Sequence, residues 1–573
     1  MRGEVPEEGH PESGSKVRAA ADWILFCIEE IACCTDRRSL CVIIGHMSIT
    51  SWSFVFFLSI ILALYYTVFA KKRQWICLLL ASVVFYAFSG PKNLVFLLLT
   101  ALTCWLGGLQ LEKRSAEYQT LRRSLKTSKG ETSADDKKKL QKAAKTRMQR
   151  QKRQIIGAVL AVNFAVLAAV KYWGVAYCGW LLPLGMSFYT FQSVGYLIDV
   201  YNGKIPAEKN FLHYFLFVSF FPQLIQGPIG RFDQLAPQLL GEHRASWEGW
   251  KRAMLLIAFG LMKKYAIANV LSPAIAALLD DHIRNISGSA VVTGILMYSF
   301  QQYADFSGGI DMVTGAAQLF GIELAPNFRQ PYLSTSLGDF WRRWHISLGA
   351  WMRDYVFYPF ALLKPVQRFG KWVSGRCGKH LGVVLPASIA NILVFFLVGI
   401  WHGLELHYVL WGLYNGVVIA LSDILSPWFR GVGEALRLRS ESGGMRLFRI
   451  VRTFIIVNIG WYFDRIYRWS DCLRAFRVSL TPGLFQMREW SENMRTLLLQ
   501  TGILSGSKIL LAVVGIAALI FIDILHEKGK TVYGELSVRP RAVRWCIYYG
   551  MMVFIQLAMD YSNASSAFLY ANF

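Results

Sequence analysis

The chain is cut into apolar runs long enough to approach the thickness of a lipid bilayer, and this limits what it can fold into. A helix needs about 20 mostly apolar residues to cross the hydrocarbon core. Thirteen runs qualify as candidates: 52–70, 75–88, 93–111, 155–170, 180–200, 212–229, 253–279, 290–303, 381–400, 406–424, 451–463, 509–524 and 545–557. Several are short or carry polar residues, so about 11 are expected to cross fully. Lipid offers the backbone no hydrogen-bond partners, so each run must satisfy itself as a helix. The expectation is an all-α polytopic membrane protein whose outer surface meets the lipid bilayer. The sequence contains no repeat of fixed period.

Composition agrees. Hydrophobic residues are 54% of the 573 and charged residues 17%, against ~25% in a soluble domain. Yet the net charge is +24. Such a charge is the usual mark of a nucleic-acid-binding protein, but here insoluble spans interrupt the basic residues, so no nucleic-acid partner is expected. The ten cysteines include no CxxC pair, and Cys77, Cys104 and Cys546 lie in apolar runs, where a thiol packs as a small hydrophobe. Neither a disulfide scaffold nor a metal site is expected.

The charge is concentrated. Residues 112–154 hold fifteen Lys/Arg against five Asp/Glu, ten of the 24 net charges. This stretch reads as a solvated helical hairpin, and dense Lys/Arg beside spans stays cytoplasmic. Counting back, the connector Lys71-Lys72-Arg73 is also cytoplasmic, and the residues before Trp52 face outward. Residues 1–46 do not fit: they carry mixed charge, four Cys and no span, without the basic flank and apolar core of a signal peptide. The run from Met47 looks like a natural start, so 1–46 read as an N-terminal extension from a mis-called start.

Ionisable groups at membrane depth are costly and by default mark function. Four polar clusters interrupt the apolar runs. In residues 183–201, Gly185, Ser187, Thr190 and Gln192 punctuate an aromatic helix, either as a packing face or as site residues. In 220–231, two prolines and two glycines around Gln226 break the helix, either structurally or to line a cavity. In 301–311, Asp305 and Asp311 flank Ser307, and each would pair with an arginine if it only braces the bundle. In 327–355, Asn327 and Arg329 precede Arg342, Arg343, His345 and Arg353. At helical spacing Trp341, Trp344, Leu348 and Trp351 share one face, as in an interfacial amphipathic helix, a reading that leaves His345 unexplained. Beyond these, the uncharged run 381–400 is followed by Trp401-His402-Gly403. A lone histidine is usually a packing residue. At the end of an apolar stretch desolvation favours its neutral form, which can accept a hydroxyl proton.

These segments carry a resemblance. "PLGMSFYTFQSVGYLIDVYNGK" (183–204), "FPQLIQGPIGRFDQLAPQL" (221–239), "DFSGGIDM" (305–312), "NFRQPYLSTSLGDFWRRWHISLGAWMRDYVFYPF" (327–360) and "LVGIWHGLELHYVLWG" (397–412) resemble the membrane-bound O-acyltransferase (MBOAT) superfamily. Within it they are most similar to the bacterial branch that O-acetylates alginate or transfers D-alanine to lipoteichoic acid. The resemblance covers about 47 to the C-terminus and is most specific over 182–412, the expected catalytic core of a membrane domain spanning 47–573. It implies a ring of about 11 transmembrane helices around a thinner central funnel or tunnel, with re-entrant or interfacial helices. It also implies an enzyme, an O-acyltransferase, with His402 as the base and His345 in a supporting role. Candidates for lining the tunnel are Asp305, Ser307, Asn327, Arg329, Trp341, Arg343, Trp401, Gln192 and Gln226. Arg329 and Arg343 could meet anionic substrate groups or pair with Asp305 and Asp311. The chain departs from the family pattern at Ala304, Gly309 and 460–465, and its tail, 568–573, favours the alginate branch.

The expected reaction moves an acyl group, in the first instance acetyl, from a cytoplasmic thioester donor to hydroxyls of an extracytoplasmic polysaccharide. Acetyl-CoA or an acyl-carrier protein would serve as substrate, with no bound cofactor. A secreted or periplasmic esterase-like partner would complete transfer, and the protein would sit in the cytoplasmic membrane of a cell with an exported polymer. D-alanyl transfer from a carrier protein to teichoic acid is the alternative within the class. A transporter or channel is the alternative outside it, but would call for inverted repeats. Intact mass of the native protein tests the start: a mass lacking residues 1–46 is expected, and a mass including them overturns the reading.

Overall fold

The computed structural model describes residues 47–69, 71–88, 90–127, 133–174, 183–437 and 442–562. The extension 1–46, the start of the run at 180–200, the middle of the basic segment and the tail 568–573 lie outside the described residues.

The first apolar runs form α1 (Trp52–Thr67) and α2 (Gln74–Phe88). Ser51 caps α1, its side chain accepting from the Phe54 amide, which satisfies one donor left over at a helix start. The basic segment is not a separate loop. Its two halves continue the neighbouring spans as α3 (Leu94–Thr127) and α4 (Ala134–Ala168), 34 and 35 residues long. At ~1.5 Å per residue such helices reach about 50 Å, well beyond a 30 Å hydrocarbon core. A π-helical turn, Ala169–Gly174, ends α4. Next come α5 (Met186–Asn202), α6 (Phe211–Ser219) and the six-residue α7 (Phe221–Gln226). The proline- and glycine-rich break expected here lies at Phe220 and again from Gly227, where the backbone becomes extended. A side chain at 227 would fall 2.5 Å from the Gln223 Cα, so only glycine allows this turn.

Around these pack α8 (Trp247–Met262), α9 (Gly288–Leu319), α10 (Leu337–Arg343), α11 (Ile346–Met352), α12 (Lys364–Cys377), α13 (Lys379–His402), α14 (Leu406–Ile424), α15 (Gly443–Arg465), α16 (Gly506–Glu527) and α17 (Arg541–Tyr561). The protein is a multi-span, all-α membrane protein. Among the described residues, six helical segments can cross a membrane by length and composition, or seven if the bent pair Leu406–Ile424 and Ser426–Ala435 is one span. The expectation of about 11 also includes helices shorter than this length, such as the 16-residue α1. Large apolar side chains such as Phe56, Leu510 and Met552 point outward, as a lipid-facing surface requires.

The centre is α9, with 24 of its 32 residues buried. Its first half joins one hydrophobic cluster with α10, α11, α13 and α15, and its second half joins another with α1–α3 and α5–α7. Small residues let α8 approach it: a Cβ at Gly260 would meet the Gly308 carbonyl at 2.6 Å, and one at Gly315 the Ala253 carbonyl at 2.7 Å. Close approach of this kind holds helices together where lipid gives no hydrophobic drive.

The charges on α9 are paired, but not with arginines as expected. Lys264 Nζ meets Asp305 Oδ1 at 2.6 Å and Lys263 Nζ meets Asp311 Oδ2 at 2.6 Å. Both lysines lie on a π-helical turn, Lys263–Asn269, that continues α8. The arginines are held elsewhere. Arg343 bonds Glu527 at 2.7 Å and Asp339 at 3.2 Å. Removing one member of a buried pair leaves an uncompensated charge and costs about 3–5 kcal/mol. Lys264→Met is therefore expected to lower the thermal midpoint in detergent sharply, and Lys264→Met/Asp305→Leu to recover most of the loss. A double variant no more stable than the single would show that the pair is not what fails.

Candidate functional site

The segment expected as one amphipathic helix is broken at its histidine. α10 stops at Arg343, Trp344 is extended, and His345 takes a left-handed backbone (φ 49°) before α11 begins. That conformation is costly for a residue with a side chain, so the surroundings must impose it. They do so through Asn327. Arg329 N–H donates to the Arg343 carbonyl (3.0 Å) and Ile346 N–H to the Asn327 carbonyl (2.9 Å), and Phe328 and Trp344 form an antiparallel bridge. The Asn327 Oδ1 accepts from the Ser347 amide (3.0 Å) and hydroxyl (2.8 Å) and faces His345 Nδ1 at 3.3 Å. Ser347 Oγ in turn accepts from the Ile229 amide at 3.0 Å, tying the strap to the broken backbone after α7. The break also corrects the interfacial reading: His345 and Trp344 are buried, at 4% and 1% exposure.

His402 sits at the end of α13 and is buried. The helix stops because Gly403 follows it with extended backbone; a Cβ there would lie 2.1 Å from Glu405 Oε2 and 2.6 Å from the Tyr408 ring. The chain then turns back as α14, packed against α13 across Gly399 and Gly412, where a Cβ would meet the Tyr408 and Phe395 carbonyls at 2.5 and 2.4 Å. This hairpin sets Tyr408 parallel to the His402 ring (centroids 5.8 Å, 23°) and Trp411 edge-on to it (5.2 Å, 78°).

Trp401 joins the two histidines. Its ring centroid is 6.4 Å from His345 and 4.7 Å from His402. Phe188 and Phe191 of α5 pack against it at 6.1 and 5.9 Å, and Phe306 of α9 meets His345 edge-on at 4.8 Å. Trp341 reaches the same wall through Trp411 (5.4 Å), its Nε1 donating to Asn415. Asn327 Nδ2, Trp401 Nε1 and Trp411 Nε1 are buried without a hydrogen-bond partner among the described residues. Buried donors of this kind are expensive to leave unmade, so the wall offers groups that a bound molecule or water would satisfy.

Not every expected residue gathers here. His345, His402, Trp401, Asn327 and Trp341 do. Gln192 instead links α5 to α6 and α7, donating to the Phe217 carbonyl (2.6 Å) and accepting from Gln223 (2.7 Å). Gln226 is pressed against Gly309, where a Cβ would be 2.2 Å from its Oε1. Ser307 bonds its own helix at the Tyr303 carbonyl, Asp305 is in its ion pair, Arg343 is tied to Glu527, and Arg329 is exposed. Ser347 and Lys171 were missed. Lys171 is a single charge inside the run "AVLAAVKYWG", the same signal that marked the other clusters. A cavity of about 10 Å³, room for one water, lies among Phe191, Asp199, Arg231, Ser347, Trp351 and Tyr355. Among the described residues, no three His, Cys, Asp or Glu side chains gather to ligate a metal ion.

Helices enclosing two buried histidines on a shared tryptophan define a polytopic membrane protein with an internal polar site. Residues 204–374 match the family model of MBOAT, the membrane-bound O-acyltransferase family. A probable alginate O-acetylase of Pseudomonas fluorescens is 30% identical over 558 residues, 90% of this chain and 98% of that protein. That of Pseudomonas aeruginosa is 33% identical over 64% of this chain, the match spanning 65% of its own length. The teichoic acid D-alanyltransferase of Bacillus subtilis is 28% identical over 49% of this chain and 67% of its own. The chain belongs to the membrane-bound O-acyltransferase family, a family of acyltransferases.

The strap gives a stability prediction. Asn327→Leu removes the acceptor shared by Ser347 and His345 and should cost about 1–3 kcal/mol, read as a lower thermal midpoint in detergent. Arg329→Leu, two residues on and exposed, should stay within about 0.5 kcal/mol of wild type. Equal effects at the two positions would refute the role given to Asn327.

Proposed function

We propose that the protein transfers an acyl group, acetyl in the first instance, from a thioester to a hydroxyl on the way toward an extracytoplasmic polysaccharide, with His402 as general base. The observation that carries this reading is the pair of buried histidines, His402 and His345, both packed against the Trp401 ring. A neutral imidazole at His402 takes the hydroxyl proton as the oxygen attacks the thioester carbonyl. The tetrahedral intermediate collapses, the C–S bond breaks, and the imidazolium returns its proton to the departing thiolate. The products are an ester and a thiol, and the base is restored. General-base catalysis of this kind contributes about 10²–10⁴-fold, and orientation of two substrates in one enclosed site contributes more. His345, held rigidly by Asn327, positions donor or acceptor. The span 182–412 supplies this core within a membrane domain running from 47 to the C-terminus.

Direction follows from the basic segment. With 112–154 cytoplasmic, α4 and the turn that ends it climb from Ile155 to Lys171, about 24 Å at ~1.5 Å per residue. Lys171 donates to the Trp401 carbonyl, so His402 belongs to the outer half of the membrane, where an extracytoplasmic hydroxyl can reach it. The donor then enters from the cytoplasmic side of a cytoplasmic-membrane protein, as acetyl-CoA or a carrier-bound thioester. A secreted esterase-like partner hands the group on. Acetyl is preferred to D-alanyl because the long match, over 90% of the chain, is to a protein named an alginate O-acetylase. The test is the O-acyl content of the cell-surface polysaccharide. His402→Ala should abolish it and His345→Ala should reduce it severely, with both variants present in the membrane at wild-type level. Wild-type acylation by both would refute the assignment.

A further inference from the structure

The last carbonyls of a helix have no donors within it, and burial makes each unmet one costly. α13 ends in this condition at His402. The Gly399 carbonyl accepts from Gly403 N–H at 3.2 Å, but the next two carbonyls are met from outside the hairpin. Tyr172 O–H donates to the Ile400 carbonyl at 2.5 Å and Lys171 Nζ donates to the Trp401 carbonyl. Both donors come from the single π-helical turn that ends α4, Ala169–Gly174, more than 220 residues away in the chain. The widened turn presents two consecutive side chains to the same helix end.

Lys171 does more than fill a vacancy. Its ammonium also stands 5.5 Å from the Trp401 ring centroid, so one group grips both backbone and ring of the residue that contacts both histidines. A cation at a helix C-terminus is favoured by the aligned peptide dipoles, and a hydrogen bond from a charged donor is roughly twice as strong as a neutral one. Glu405, on the turn after Gly403, lies within electrostatic reach of Lys171, and its carboxylate is also what a Cβ at 403 would strike. Lysine, Trp401 carbonyl, Gly403 and Glu405 therefore surround the peptide that carries His402.

We infer that Lys171 is a positioning residue for His402, fixing the end of α13 and the Trp401 ring so that the imidazole stands at one place in the site. The inference rests on His402 being the reacting base, but its geometry does not depend on which acyl group is carried.

The experiment reads position and activity separately in the full-length protein in native membranes. Diethylpyrocarbonate is the probe, and its rate of reaction with His402 is followed by peptide mass spectrometry, with exposed His380 as internal reference. Lys171→Met, which keeps the apolar stem, should raise the His402 rate about tenfold, the order expected when a charge-assisted hydrogen bond is lost. His380 should not change. Surface O-acylation should fall about 10- to 100-fold, and Lys171→Arg, which keeps a cationic donor, should recover part of both readouts. An unchanged His402 rate in Lys171→Met overturns the inference. So does a parallel rise at His380, which would report general loosening. Should Lys171→Met fail to accumulate, Lys171→Gln, which removes the charge and keeps a donor, decides: faster His402 labelling supports the role and wild-type labelling overturns it. If wild type itself acylates nothing, the proposed function fails while the labelling result still stands for or against Lys171.

Discussion

Two lysine–aspartate pairs hold α9 in the centre of the molecule, and the site depends on where that helix stands. Lys263 and Lys264 reach Asp311 and Asp305 at 2.6 Å from a widened turn of α8. Between them Gly260, Gly308 and Gly315 bring the two backbones into contact. An ion pair in a low-dielectric interior is not a cheap source of stability. What it does supply is register, because a shift of either helix by one residue would leave two charges buried and unmet. Phe306, one residue from Asp305, then meets His345. The bracing of the bundle and the placing of the site are consecutive residues on one helix.

Both histidines stand where regular helix stops. His345 lies at a left-handed break that Asn327 enforces, and His402 is the last residue of a helix that Gly403 ends. Within a continuous helix each would project at an angle set by the helix axis alone. At a break, the side chain is aimed by whatever holds the break, here an asparagine strap on one side and the Lys171–Tyr172 cap on the other. Strain and unmet carbonyls are tolerated because other parts of the fold compensate them.

Much of this was legible in the residues. Spans follow from apolar length, and the W-H-G element marked its own histidine. The polar clusters drew Asn327 into view because polar groups at membrane depth need a reason, and Trp401 came with the W-H-G element. The same reasoning misassigned the partners of Asp305 and Asp311. Lysine and arginine are equivalent in a charge count, and only the packing of α8 on α9 selects adjacent lysines on a π-helical turn. It likewise read 339–355 as one amphipathic helix, since the spacing of Trp341, Trp344 and Trp351 is helical and the break at His345 is imposed from Asn327, eighteen residues earlier.

The sequence by itself determined the solvent the protein folds in, the helical class and the two histidines worth testing. Those properties are local: apolar length, charge density and the rarity of ionisable groups inside a span are read along the chain. Which polar residues share a site was decided only in three dimensions. Gln192, Gln226 and Ser307 sit in polar motifs that looked as informative as those of the site residues, yet each is used in packing or in its own backbone. Lys171, outside every motif and 230 residues from Trp401, arrives at the Trp401 carbonyl. The physical reason is that a buried polar group must find a partner, and the nearest one in space is set by how helices cross, not by how far apart they lie in the sequence.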